Sequence, residues 1–415
     1  ISLSKIWVTI PNFSGSLDGK GYSVNGLVIN STSAYDGFIN TNTGTIKNIQ
    51  FLNVACSANN SFGVISGKNS GGTIQNVIVS GSVTSTSSSD VLGGIPGELD
   101  NGGKLTQCNV KLAITAPCGM VGGIAGRLTT TAGKTAEISF CTSAGSINIT
   151  AAKNRIGGIL GRAEGGLLAG GIIKNCVSSM DISSTGATAG SANGMGGIFG
   201  ADQNAGIVPI DQCMFTGSVV TGFSLGGIAG VGSSITNCIV AGQPGTPLLL
   251  SSIGASPATG LAGGIAGTNK TKLINCVVKN VAIKASVSPS TLPMGGVVST
   301  YQNNGYSTGC LVANTSLEGS NTVPNSNNVY RIAGTAGSAP GNSKNYVGSG
   351  VTAQYRTANV PFVEDPNGLD GSFNSTITQS FLQGIGFDFS IWKIDADGYP
   401  TLKNAGYNGG LPIPQ

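Results

Sequence analysis

The chain has 415 residues, of which 67 are glycine, 40% are hydrophobic and 9% are charged, and its net charge is +4. So much glycine with so little charge excludes a coiled coil or a helical bundle, and the apolar content excludes a disordered chain. The sequence contains no histidine, which excludes an ordinary histidine-dependent triad or zinc site. Its 21 basic and 17 acidic residues are interspersed, without the basic patch that is typical of nucleic-acid binding.

The first predicted element is a turn-rich segment near the start of the chain. Residues 13–24 read FSGSLDGKGYSV and lead into the apolar run Leu27-Val28-Ile29. Apolar residues that alternate between turn residues are typical of short strands. We therefore expect this segment to form the first coil of a repeat region.

A glycine block then recurs along the chain. It consists of two glycines, an apolar residue, any residue and a third glycine, as in residues 122–126, which read GGIAG. The glycine before the apolar residue stands at positions 37, 63, 94, 123, 158, 197, 227, 264 and 296. The mean spacing of about 32 residues is the signature of a solenoid or another repeat architecture. We expect the glycines at corners where the backbone turns tightly or approaches its neighbour.

A second block follows each glycine block and carries most of the cysteines. It reads an apolar residue, any residue, Asn or Gln, and then Cys, Ile or Val, as in Ile173-Lys174-Asn175-Cys176. Seven of the nine cysteines occupy its fourth position: Cys108, Cys141, Cys176, Cys213, Cys238, Cys276 and Cys310. A position that exchanges Cys for Ile or Val is typical of a buried apolar slot, not of a disulfide framework or a zinc site.

Equivalent residues one repeat apart predict coils stacked at about 4.8 Å, with the cysteines in a structural ladder. The predicted fold is therefore an all-β, right-handed parallel β-helix of about nine to ten irregular coils over residues 1–316. A β-propeller is disfavoured, because its blades are longer and richer in aromatic residues. A second ladder is expected beside the cysteines, from Asn48, Asn76, Asn175, Asn237 and Asn275.

One charged ladder follows from the same alignment. Glu98, Arg127 and Arg162 each come directly after a glycine block in three consecutive repeats, so stacking places them on one face. A partly exposed ion pair is the simpler interpretation, and a ligand-binding site is the alternative. For a hydrolase, the nearest acids are Asp90, Glu98 and Asp100 in one repeat and Asp202 with Asp211 in another. No acid shares a slot with another acid one repeat away, so we predict no catalytic residues.

Residues 317–415 are predicted to form a C-terminal cap and tail that continue the helix. The glycine blocks end there, a short helix is expected over 376–383 with Asn374 or Ser375 as its cap, and aromatic residues follow. Aromatic side chains concentrated after the repeats suit a lid, over residues 317–404, on the open apolar end of the stack.

Two further patterns have simpler alternatives. Asp395-Ala396-Asp397-Gly398 resembles a calcium loop but lacks the later bidentate Glu, so a turn is favoured and no metal site or cofactor is predicted. Cys56 and Cys118 fall outside the cysteine position, and isolated thiols are favoured over a bridge between them.

The paired blocks resemble the repeats of the GLUG-motif family. Residues 13–27 are similar to the opening F-x-G-x-x-D-G-x-G-Y-x-I-x-x-L of such proteins, and residues 392–402, WKIDADGYPTL, to their closing segment. The resemblance implies an exported, adhesin-like bacterial surface protein and brings no catalytic residues with it.

The functional expectation is a non-enzymatic secreted or cell-surface protein, anchored at the outer membrane in a bacterium. Its partners would be glycans or host and bacterial surface proteins, and we expect a monomer without nucleic-acid partners. No apolar stretch approaches the roughly 20 residues of a membrane helix. Two alternatives remain open: a polysaccharide lyase or glycoside hydrolase that acts along one coil face, and a rigid structural stalk.

Overall fold

The computed structural model describes residues 1–403 except 4, 88–90, 118, 130, 151–154, 166–169, 185–193, 203–207, 222–223, 254–260, 286–292, 303, 320–328, 335–342, 349, 356–357, 360–368 and 374–376. These residues form a parallel β-helix of about nine stacked coils, so the predicted fold class is confirmed. The hand of the coil stays a prediction. No helix in the described part of the chain is both long and apolar enough to cross a membrane.

Each coil contributes one strand to a short sheet and up to three strand segments to a long sheet. The short sheet precedes the glycine turns, and its described strands are Tyr35–Asp36, Ser61–Gly63, Val91–Gly93, Met120–Gly122, Arg155–Gly157, Gly194–Gly196, Ser224–Gly226, Ala262–Gly263, Met294–Gly295 and Val329–Tyr330. All pair in parallel with the equivalent strand of the next coil.

The long sheet has three rows. Row 1 follows the glycine turn and contains Ile10–Phe13, Ile39–Asn42, Ser66–Ser70, Pro96–Asp100, Ala125–Thr129, Leu160–Glu164, Phe199–Asp202, Ala229–Thr236, Ala266–Ile274 and Val298–Tyr301. Row 2 precedes the cysteine position and contains Ser16–Asp18, Thr45–Ala58, Thr73–Ser85, Lys104–Thr106, Thr135–Ser139, Gly170–Lys174, Ile210–Asp211 and Tyr306–Thr308. Thr45–Ala58 and Thr73–Ser85 continue into row 3, whereas Ala229–Thr236 and Ala266–Ile274 span rows 1 and 2.

Row 3 follows the cysteine position. It contains Ser23–Asn25, Val28–Asn30, Asn109–Ala116, Thr142–Ile149, Val177–Ser184, Met214–Phe215, Ser218–Thr221, Ile239–Ala241, Leu248–Ser252, Val277–Lys279, Val281–Ala285, Leu311–Ala313, Ser316–Gly319, Asn345–Gly348, Thr352–Tyr355, Ala358–Asn359 and Leu369–Phe373. Parallel pairing continues beyond residue 316, from Leu311–Ala313 to Asn345–Gly348 and on to Leu369–Phe373. The coils therefore extend into the region that the sequence assigned to the cap.

The glycine turns are needed because neighbouring coils approach each other closely. A Cβ atom on Gly94 would lie 2.2 Å from the carbonyl oxygen of Gly123, and one on Gly123 would lie 2.1 Å from that of Gly158. Neither glycine has a positive φ. Glycine was expected at these corners either for a tight backbone turn or for close approach to the neighbouring coil. At these two positions, close approach is the reason that applies.

The asparagines before the cysteine position have a different explanation. Asn48, Asn76, Asn175, Asn237 and Asn275 have φ between 50° and 54°, the left-handed region that Asn tolerates better than most residues. Asn76 also donates a side-chain hydrogen bond of 2.7 Å to Asn48. The expected ladder thus marks a repeated left-handed bend, and its side-chain hydrogen bonds are a secondary feature.

Aromatic residues cover the N-terminal end of the core. Trp7 stacks on Phe38 with ring centroids 4.6 Å apart and donates its indole N–H to the Phe38 carbonyl oxygen at 3.0 Å. Phe38 in turn packs edge-on against the buried Phe51. This end therefore carries an aromatic cover of the kind that was expected after residue 317.

The C-terminal aromatic residues lie on the flank of the stack. A second core contains Ile239, Val277 and Leu311 from row 3, together with Leu382, Phe387 and Trp392. The helix of this segment is Gln379–Gly384, capped by the Thr378 hydroxyl, and the antiparallel strands Trp392–Ile394 and Pro400–Leu402 follow it. The prediction of a lid over the open end is therefore wrong for residues 377–403, and the proposed capping residues Asn374 and Ser375 lie outside the described part of the chain.

The C-terminal segment packs on the flank because one outward-facing column of row 3 becomes apolar. Successive coils place Asn109, Thr142, Val177, Met214, Ile239, Val277, Leu311 and Tyr346 in register at this column. The column is polar at Asn109 and Thr142 and apolar from Val177 to Leu311, and the C-terminal segment covers its later members. Trp392 donates to the Asn237 side chain at 3.3 Å, and Asn275 donates to the Gly386 carbonyl oxygen at 2.7 Å.

Candidate functional site

The charged ladder lies in row 1 and is longer than the sequence indicated. Lys68 is in register with Glu98, Glu98 with Arg127, and Arg127 with Arg162. The next coil places Ala201 at this position, which ends the charged run. We call the four charged residues of this column, with Asp100 and Glu164, the charge row.

Ion pairs connect every member of the charge row. Lys68 Nζ lies 2.7 Å from Asp100 and 3.5 Å from Glu98, and Glu98 also accepts a hydrogen bond from Arg127. Glu164 continues the chain of contacts, 2.6 Å from Arg162 and 3.9 Å from Arg127. The Glu98 side chain is only 5% exposed. Three cations and three anions therefore balance within a partly buried wall of the coil.

The electrostatics differ between the two ends of the charge row. Burial alone would lower the pKa of Lys68, but its hydrogen bond with Asp100 and the charge of Glu98 raise that pKa above its ordinary value. The pKa of Arg162 is lowered by burial, and Arg127 adds to this effect. Arg155, on the adjoining short sheet, has its pKa lowered by burial and by Arg162. At this end Arg127 and Arg162 share the carboxylate of Glu164, whereas at the other end Lys68 faces both Glu98 and Asp100, so the Arg155–Arg162 end is the more cationic one.

The acids considered for hydrolysis are engaged in other contacts. Glu98 and Asp100 share Lys68, and Asp211 accepts hydrogen bonds from Thr236 at 2.7 Å and Asn237 at 3.0 Å. Asp202 is 1% exposed, and Lys270 donates to its backbone oxygen at 2.9 Å. Asp90 lies outside the described residues. These contacts give the acids structural partners and supply no arrangement specific to glycoside hydrolysis.

The cysteine ladder is buried at the boundary between rows 2 and 3. The strand residues on either side of the cysteines are in register between coils. Thr106 pairs with Ser139 and Asn109 with Thr142, so Cys108 stacks on Cys141. The same pattern continues to Cys310. All seven thiols are free and 0% exposed. Each points to the carbonyl oxygen two residues earlier, as from Cys141 to Ser139 at 3.3 Å. Burial raises the pKa of Cys141, Cys176 and Cys213 well above its ordinary value.

Cys56 is buried as well, in row 3, and burial raises its pKa to about 12. Its predicted isolation stays a prediction, because Cys118 lies outside the described residues. High thiol pKa values make these groups poor nucleophiles and poor metal ligands at neutral pH. Within the described residues, no group of three or more Cys, Asp or Glu side chains is placed to hold a metal ion.

The D-x-D-G segment forms a turn that binds a lysine. Asp397 lies 2.8 Å and Asp395 3.8 Å from Nζ of Lys279. The Gly398 N–H donates to the Asp395 carbonyl oxygen at 3.0 Å, which closes the turn. An ammonium group thus stands where a calcium ion would have to bind.

Row 3 also carries a polar surface whose position was not predicted from the sequence. Its outward side chains form two columns, which we call the polar face: Ala55, Ser82, Ala113, Ser146 and Asp181 in one, and Ser57, Thr84, Thr115, Asn148 and Ser183 in the other. Most are exposed, while the residues between them, such as Ile114 and Ile147, are buried. The alternation of small polar and apolar residues along each strand was the available signal.

Comparisons with known proteins give limited similarity. No protein-family model matches the chain. A stretch of 100 residues, 23% of the chain, is 37% identical to halomucin of Haloquadratum walsbyi, and it spans 1% of the length of that protein. A Bacteroides ovatus protein named for immunoglobulin A1 protease activity aligns over 93% of this chain and 76% of its own, at 14% identity and a TM-score of 0.31. An alignment at that score supports no conclusion about activity.

Proposed function

We propose that this protein is a non-enzymatic, secreted or cell-surface β-helix that adheres to glycans or surface proteins through its polar face. The observation that carries the proposal is the polar face itself, in which one complete column of hydroxyl and amide side chains, from Ser57 to Ser183, stays in register over five coils. Strands lie about 4.8 Å apart, and outward residues of one strand lie about 6.6 Å apart. Such an array offers hydrogen-bond donors and acceptors to an extended ligand.

The similarity to a stretch of halomucin supports placement of the protein at or outside the cell surface. Membership of the GLUG-motif family is part of the same proposal, supported by the way the two sequence blocks form the glycine turn and the asparagine–cysteine bend. Outer-membrane anchoring and a monomeric state likewise stay predictions. The role of Glu98, Arg127 and Arg162 in ligand binding also stays a prediction, and their ion pairs within the charge row support a structural role.

A matched pair of variants tests the proposal. Thr115 and Thr135 are both exposed and both lie on strands, but only Thr115 belongs to the polar face. On a panel of plant, host and bacterial glycans and surface proteins, Thr115→Arg should abolish wild-type binding and Thr135→Arg should preserve it. Equal effects of the two substitutions would contradict adhesion through this face.

The same panel distinguishes the two alternatives. Release of reducing ends or unsaturated sugars would overturn the non-enzymatic proposal in favour of a hydrolase or lyase. For a lyase that acts on an acidic polysaccharide, Arg155 and Arg162 would be the first residues to replace, because their neighbouring positive charges would attract the substrate carboxylates. Absence of both binding and turnover would favour a rigid stalk.

A further inference from the structure

Lys279 is a charged residue enclosed between the coils and the C-terminal segment. It ends the row 3 strand Val277–Lys279, and its side chain is 5% exposed. Ala241 and Ala313 are its partners in the preceding and following coils. Because both alanine side chains are small, the Lys279 side chain and the turn that covers it can occupy the space beside them.

The turn holds one carboxylate of Asp397 in a defined orientation. Its Oδ2 lies 2.8 Å from Lys279 Nζ, and its Oδ1 accepts the backbone N–H of Tyr399 at 3.0 Å. The Asp395 N–H donates to the Tyr399 carbonyl oxygen at 2.9 Å, which fixes the base of the turn. Asp395 Oδ2 stands 3.8 Å from the same Nζ.

We propose that Lys279 and Asp397 condense to form an intramolecular isopeptide bond. Nζ attacks Cγ of Asp397, one C–O bond breaks, and Oδ2 leaves as water. The ammonium group loses two protons, and both end on the departing oxygen. The charged pair thus becomes a neutral amide and one water, with no oxidation or reduction. Asp395 receives a proton from Nζ and returns it to the leaving oxygen.

The site contains the groups that this reaction needs. The amine and the carboxyl are held by separate, folded parts of the chain, which replaces a bimolecular encounter with a fixed one. The Tyr399 N–H donates to the oxygen that becomes negative during attack. Asp395 lies 3.8 Å from the same Nζ and is the second carboxylate at the site. The product would link the β-helix covalently to the segment that covers its flank.

Intact-mass measurement of the purified, full chain under denaturing conditions tests the proposal. The wild type should be lighter than its sequence by one water, and a tryptic digest should contain a branched peptide that joins Lys279 to Asp397. Lys279→Arg keeps the positive charge but should restore the full mass. Asp397→Ala should do the same, and Asp395→Asn should leave most molecules unlinked.

The chain supplies an internal control. Lys284 and Glu318 form an ion pair of nearly the same length, 2.9 Å, but both side chains are 43% exposed and neither is joined by a second carboxylate within ion-pair distance among the described residues. Their peptides should appear unlinked in the same digest. A wild-type mass equal to that of the sequence would overturn the proposal, as would a missing water that persists in Lys279→Arg.

Discussion

Replacing Glu98 by Gln should destabilise the protein far more than an ordinary surface substitution. The Glu98 carboxylate is 5% exposed and faces Lys68 and Arg127, whose side chains are 23% and 24% exposed. Removing one partner of a fully buried ion pair costs about 3–5 kcal/mol. Because water still reaches both cations, we expect about 2–3 kcal/mol here.

The assay is equilibrium unfolding in urea, followed by circular dichroism, at low and at high salt. Glu318→Gln is the matched control, since it breaks the exposed pair with Lys284 and should cost less than about 1 kcal/mol. Adding Arg127→Met to Glu98→Gln removes a cation that has lost its close carboxylate and keeps only Glu164 at 3.9 Å, so the double variant should recover part of the loss. Equal losses in Glu98→Gln and Glu318→Gln would refute a buried, stabilising charge row.

Four further predictions concern the bends, the thiols, the pH dependence of stability and the flank. Asn175→Val should cost about 1–2 kcal/mol in urea unfolding, because a β-branched residue disfavours its φ of 53°, while Asn175→Gly should cost clearly less. Thiol reagents should leave the cysteine ladder unmodified in the native protein and label at least its seven thiols after denaturation. Because burial raises the pKa of Cys141 and Cys176 above 9.0, the unfolded chain loses these protons first. Their contribution to the free energy of unfolding is therefore complete below pH 9 and should fall as the pH rises towards the folded pKa. Urea unfolding at pH 8 and at pH 10 measures this difference. Trp392→Ala should cost about 3–5 kcal/mol locally and make residues 377–403 sensitive to proteases, whereas the exposed Lys393→Ala should not.

The fold could be predicted because its main determinants repeat. A position that exchanges Cys for Ile or Val indicates a buried side chain, and its recurrence indicates stacked coils. The positions from Cys108 to Cys310 therefore predicted the coils from the sequence alone. The asparagine position was recognised for the same reason. Its cause was not, since a left-handed bend and a hydrogen-bonded ladder both favour Asn.

The candidate site was predicted only in part. Lys68 follows Gly67 as Glu98 follows Gly97, but its block lacks the double glycine, so the alignment missed it. Arg155 belongs to the opposing short sheet, and its approach to Arg162 depends on how the glycine turn folds the two sheets together. The flank was missed because Met214, Ile239 and Val277 look like ordinary strand residues until the column as a whole is compared with Asn109 and Thr142.

The coil spacing also sets how the polar face can change in size. Each additional repeat would lengthen the molecule by about 4.8 Å and would add one more stripe of side chains to that face. For a long polymer that contacts every stripe weakly, avidity would then rise with repeat number and require no improvement of any single contact. Duplication or loss of one repeat could therefore tune attachment strength in discrete steps while the remaining structure stays the same.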